Sequence, residues 1–134
     1  MAVSKAALLQ VMLDDLIRQA AYFLEETGEF HPFGLYADPH QQIRNISFFT
    51  KNEFPPADEV LKGLEDLVLA GLKAGQYKAA VIGVHVHAAA PEGSAQIHNA
   101  MEVRSYDEKG NITIRYSLYN KTEDGYEFSD LTGL

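Results

Sequence analysis

The sequence predicts an α+β fold: a two-layer sandwich in which two helices cover one face of a five-stranded, mainly antiparallel sheet, in the order α-β-β-α-β-β-β. Three observations predict it. Two stretches repeat apolar residues at three- and four-residue spacing, the period of a helix buried on one side. Five runs rich in β-branched and aromatic residues show strand-like alternation. The last three runs are joined by turns too short for a crossover helix, so neighbours pair antiparallel. With no linker or low-complexity tract, residues 1–134 read as a single domain, long enough to bury a core.

Ser4 can cap a first helix that runs to Glu26, and Gly28 is placed to end it. Leu9, Leu13, Leu16, Ile17, Ala20 and Phe23 or Leu24 form its apolar stripe. Residues 30–36 read as a strand with an interrupted start, because Pro32 has no N–H for a ladder. Asp38-Pro39 is a turn, and residues 43–50 complete a hairpin whose core takes Phe30 and Phe33 with Phe48, Phe49 and Phe54. Pro55-Pro56 introduces the second helix, with Asp58 and Glu59 at the positive end of its dipole. Its stripe is Val60, Leu61, Leu64, Leu67, Val68 and Leu72; Leu69 widens it and Gly75 ends it. Strands follow at 77–89, 96–106 and 111–120, separated by Pro91-Glu92-Gly93-Ser94 and Asp107-Glu108-Lys109-Gly110. Beyond Lys121 the tail is polar until Tyr126 and Phe128, which can return to a sheet edge.

Composition removes several function classes. Eleven basic and nineteen acidic side chains leave a net charge of −8. Such a chain repels phosphate backbones and anionic lipid, so neither nucleic acid nor a membrane is an expected partner. Without cysteine there is no disulfide, thiolate zinc site or cysteine nucleophile. No run is long enough to span a bilayer, and Asp14 and Asp15 interrupt the first apolar stretch, so no secretory leader is read. A cytoplasmic protein is expected. No Gly-x-Ser-x-Gly elbow or phosphate-binding glycine loop is present.

The residues with most chemistry converge on one predicted sheet face. His85 and His87 are two apart in an apolar run, so they leave one face while Ile82, Val84 and Val86 leave the other. Closing the 91–94 turn with Ala90 opposite Ala95 sets His87 against His98. Setting Tyr106 opposite Asn111 brings Glu102 against Arg115. His85, His87, His98, Glu102 and Arg104 then share a face with Thr113, Arg115, Ser117 and Tyr119, expected to be open to water while both helices cover its reverse. His85, His87 and His98 could ligate a divalent zinc, iron or manganese ion, with Glu102 as base or as a ligand-orienting group. An open flat face lacks the concave, partly dry setting that a metal centre needs, so no cofactor is expected. Two facing imidazoles, His87 and His98, would repel when both are protonated, and association through this face would weaken below about pH 6.

Two resemblances bear on the reading. His85-x-His87 with Glu92 is similar to the first metal motif of cupin barrels over those three residues alone; Ala79 and Asn99 stand where that motif has glycines. More of the chain resembles a family of small uncharacterised bacterial proteins. The resemblance rests on Gly28-Glu29-Phe30-His31-Pro32-Phe33-Gly34, Tyr77-Lys78-Ala79-Ala80-Val81, Asn99-Ala100-Met101-Glu102-Val103 and Tyr126-Glu127-Phe128. It implies a small cytosolic protein and no particular reaction, and it marks the Gly-Glu-Phe-x-Pro-Phe-Gly segment as a place to look.

The function expected from these readings is a non-enzymatic interaction or regulatory module, self-associating as a homo-oligomer such as a homodimer through an open sheet face or a helix. The alternatives are a metal-dependent enzyme built on His85, His87 and His98, and a small-ligand-binding protein with its site beneath the first hairpin.

Overall fold

Helix α1 (Lys5–Thr27) starts where Ser4 adopts an extended backbone and its hydroxyl accepts the Ala7 N–H at 3.1 Å. It stops where Gly28 turns left-handed and donates to the Leu24 carbonyl. The computed structural model describes residues 4–47, 55–89 and 97–131, with backbone alone at Ala88, Ala89, Ile97 and His98. The turn expected at 91–94, Glu92, and the core positions expected for Phe48, Phe49 and Phe54 lie outside the described residues. After α1 come β1 (Phe33–Ala37), β2 (Ile43–Asn45), α2 (Ala57–Lys73), β3 (Ala79–Ala89), β4 (Ile97–Tyr106), β5 (Ile112–Thr122) and β6 (Gly125–Phe128). The class is α+β, and every strand pair is antiparallel.

The sheet has six strands, not five, in the order β2-β1-β3-β4-β5-β6. The sixth comes from Tyr126 and Phe128, which pair with Lys121 and Tyr119. The sheet curls into a half-barrel, so that α1 in its hollow touches β1 and β3 and also the far edge strand β6.

The helices lie on opposite faces, which corrects the two-layer expectation. Leu8, Met12, Leu16, Ala20 and Leu24 of α1 pack with Leu35, Val81, Met101 and Val103 on the concave side. Leu64, Val68 and Leu72 of α2 pack with Ala80, Ile82, Val84 and Tyr106 on the convex side. Consecutive residues of β3 therefore feed two different cores. A strand buried on both faces reads as an unbroken apolar run, and Ala79 through Val84 is such a run. Gly83 serves that packing: a side chain there would press on Met101 Sδ at 3.1 Å and Leu16 Cδ2 at 3.4 Å.

The register also departs from expectation. His87 pairs with Asn99 and His85 with Met101, one residue away from the expected pairing. Glu102 pairs with Tyr116, not Arg115. At the second turn the cause is visible. The Asp107 N–H donates to the Asn111 carbonyl and the Gly110 N–H to the Asp107 carbonyl, with Gly110 at φ +83°. That is a three-residue loop with glycine in the left-handed position, so Asp107, not Tyr106, faces Asn111. Each slip inverts a strand, so two slips flip β4 alone and leave β5 facing as expected. Among the described residues no helix is long and apolar enough to cross a membrane.

Candidate functional site

His85 and His87 leave β3 on the concave face, their ring centroids 5.0 Å apart and nearly perpendicular. Glu102 and Arg104 do not share that face. They stand on β4 opposite Val84 and Ile82, on the convex side. His98 pairs with Ala88, which puts its position on the convex side too. By register the position of His98 is thus not on the face of the other two histidines, and Glu102 faces away from both concave imidazoles. Among the described residues no three histidine, aspartate or glutamate side chains gather closely enough to hold a metal ion.

The concave face is open at both ends of α1. At the N-terminal end, Lys5, Leu8, Leu9, Lys78 and Glu108 border a cavity of about 700 Å³. At the other end, α1 stops at Thr27, while β3 continues past its last pairing with β1 at Gly83. The space left holds a cavity of about 510 Å³ lined by Phe30, His85, Asn99, Tyr119 and Tyr126, with Glu29 and Lys121 also on its wall. Pro32 and Phe33 carry the chain from α1 into β1, placing the Phe30 ring 5.9 Å from His85 and 6.2 Å from Tyr119. His85 Nε2 lies 3.4 Å from Asn99 Oδ1. Tyr119 is only 7% exposed and packs against Phe128 and Tyr126 as well. Burial, and then the neighbouring Tyr126, push its hydroxyl up to about 12, so it keeps its proton across the neutral range. That hydroxyl has no hydrogen-bond partner among the described residues.

The convex face carries a different cluster. Arg104 Nε donates to Glu102 Oε1 at 2.6 Å, and a terminal nitrogen donates to Glu65 of α2. The Tyr116 hydroxyl donates to Glu102 Oε2 at 3.3 Å, so both oxygens of Glu102 are engaged. Partial burial works against the Arg104 charge, but the hydrogen bond and field of Glu102, with Glu65, outweigh it and hold the guanidinium above its ordinary value. These groups tie α2 to β4 as an internally satisfied network. Tyr106 lies buried beside them; its hydroxyl, close to Arg104, meets no partner at full hydrogen-bond geometry among the described residues, and burial raises it above its ordinary value.

Beyond that network the convex face is uncovered over the first half of β5 among the described residues. Helix α2 packs over β1 and β3, leaving Ile112 at 51% and Ile114 at 44% exposure on β5. Leu69, 46% exposed, lies on α2 beside the β4–β5 turn at Gly110. Strand β6 and Ser129 cover β5 only from Leu118 onward, so residues 112–116 border no further strand among the described residues. The sequence expectation, with Thr113 and Arg115 on the open face and both helices on its reverse, puts the intervening Ile114 under the helices. Only Leu69 was read there as surplus apolar surface. The chain matches no protein-family model, no curated protein and no solved structure.

Proposed function

We propose that the chain is a non-enzymatic interaction module that associates with a second copy of itself through the uncovered stretch of β5 and the adjoining convex face. The observation that carries this reading is the exposure of Ile112 and Ile114 on a strand whose outer edge pairs with no other strand over residues 112–116 among the described residues. Unpaired strand edges with apolar side chains are templates for another strand. The charge pattern favours a second copy. A chain of net charge −8 repels its own kind over most of its surface, yet no carboxylate occurs from Ile112 to Asn120. Antiparallel pairing centred on Ile114 sets Arg115 opposite the second copy's threonine and opposes no like charges. Leu69 and the rim of α2 extend the apolar contact beside it. Membership of the bacterial family suggested by the Gly28–Gly34 segment belongs to the same proposal and adds no reaction to it.

Sedimentation equilibrium across a concentration series tests it. A monomer–dimer equilibrium is expected, and Ile114→Asp is expected to weaken it at least about tenfold by setting carboxylates across the contact. Ile114 is 44% exposed and outside both cores, so the variant is expected to keep its circular dichroism spectrum. A wild-type chain that stays monomeric to about 1 mM would overturn the reading.

A further inference from the structure

The cavity at the end of α1 has a finished floor and an unused donor. Phe30, Tyr119 and Tyr126 supply rings, and the imidazole of His85 stands 6.1 Å from the Tyr119 ring. Tyr119 is more than nine-tenths buried, lines the cavity, and offers its hydroxyl to no protein group among the described residues. Unlike the sealed Tyr106 hydroxyl, the one at Tyr119 is within reach of the cavity. His85 is exposed, and among the described residues its one hydrogen-bond contact is the long one to Asn99, so it too has bonding capacity to spare. The volume, about 510 Å³, is that of a small-molecule site.

From these features we infer that the cavity binds a small, neutral aromatic molecule bearing a carbonyl or amide acceptor. The ring packs on Phe30, Tyr119 and Tyr126, as aromatic rings do when edges and faces are both presented. The acceptor receives the Tyr119 O–H and a ring N–H of His85. Neutrality follows from the surrounding charges. Glu29 and the negative C-terminal pole of α1 oppose a carboxylate, while Lys121 opposes an ammonium group. An ion of either sign is attracted by one and repelled by the other, so it gains little to offset the cost of leaving water. This inference stands on the concave face and is independent of self-association through the convex one.

Titration of the full chain with benzamide, benzoate, benzylamine and cyclohexanecarboxamide, followed by NMR shifts of the protein, tests it. Benzamide is expected to bind best, with shifts centred on His85, Asn99 and Tyr119. Tyr119→Phe, which removes only the hydroxyl, is expected to weaken benzamide about five- to tenfold, the effect of one lost hydrogen bond. His85→Ala, at an exposed position, provides a second variant, also expected to weaken benzamide. Three results would each overturn the inference: no benzamide binding to about 10 mM, equal affinity in both variants and wild type, or tighter binding of any of the other three probes.

Discussion

Strands β3, β4 and β5 build both the hollow at His85 and the bare stretch at Ile114, yet the two surfaces differ in every respect. The hollow is a concave pocket, with Tyr119 and Phe30 buried in its floor beneath a polar rim. The convex stretch is aliphatic and open, with Ile112 and Ile114 half in solvent. The difference lies in the covering helices. The sheet wraps α1 along its length, whereas α2 lies over β1 and β3 and reaches β4 through Arg104 and Glu65. What a strand residue does is therefore decided by its parity and by how far each helix extends, more than by its own chemistry.

Substitutions on the two sides should separate in the same way. The largest effect is expected from Leu16→Ala, because Leu16 is fully buried between α1 and the concave sheet; denaturant unfolding should show a loss of about 2–5 kcal/mol. On the convex side, Gly71→Ala drives a methyl group into the Tyr77 ring, which lies 2.5 Å from where it would sit, and should cost about 1–3 kcal/mol. Ile114→Thr should change the stability of the monomer by less than about 0.5 kcal/mol, since its site is open. A loss as large as that of Leu16→Ala would mean that something covers β5 within a single chain.

The smallest expected effect is at two turns that border the other cavity, at the N-terminal end of α1. Backbone hydrogen bonding from Gln42 lowers the Asp38 carboxyl, with Arg44 and His40 adding to it. The Asn111 side chain and backbone do the same for Asp107. Carboxyls lowered in the folded state stabilise it above their unfolded value of 3.8, and that contribution is lost as pH falls through the folded values. Stability should therefore decline below pH 3.8, and Asp107→Asn should flatten the decline, as measured by thermal unfolding between pH 5 and pH 2.

Much of this was legible before any coordinates. The spacing of Leu13, Leu16, Ala20 and Leu24 located α1, and Ser4 and Gly28 its ends. Strands β3, β4 and β5 fell where alternation put them, and His85 with His87 shares a face with Tyr119 as expected. Two signals were misread. Asp107-Glu108-Lys109-Gly110 carries glycine where a three-residue loop needs a left-handed residue, and reading it as a four-residue turn displaced the register by one. The unbroken run from Ala79 to Val84 marks burial on both faces, and weighing only its alternation put both helices on one side. The cavity was harder to find. It depends on where α1 stops relative to β3, a distance that no local pattern encodes, although Phe30 and Pro32 belong to the segment singled out as unusual.

The division of the two faces rests on strand register, and cross-strand nuclear Overhauser contacts measure register directly. Backbone contacts should join His85 to Met101 and Glu102 to Tyr116. Contacts joining His85 to Ala100 and Glu102 to Arg115 instead would return Glu102 and Arg104 to the histidine face, and would contradict both the concave hollow and the bare convex strand described above.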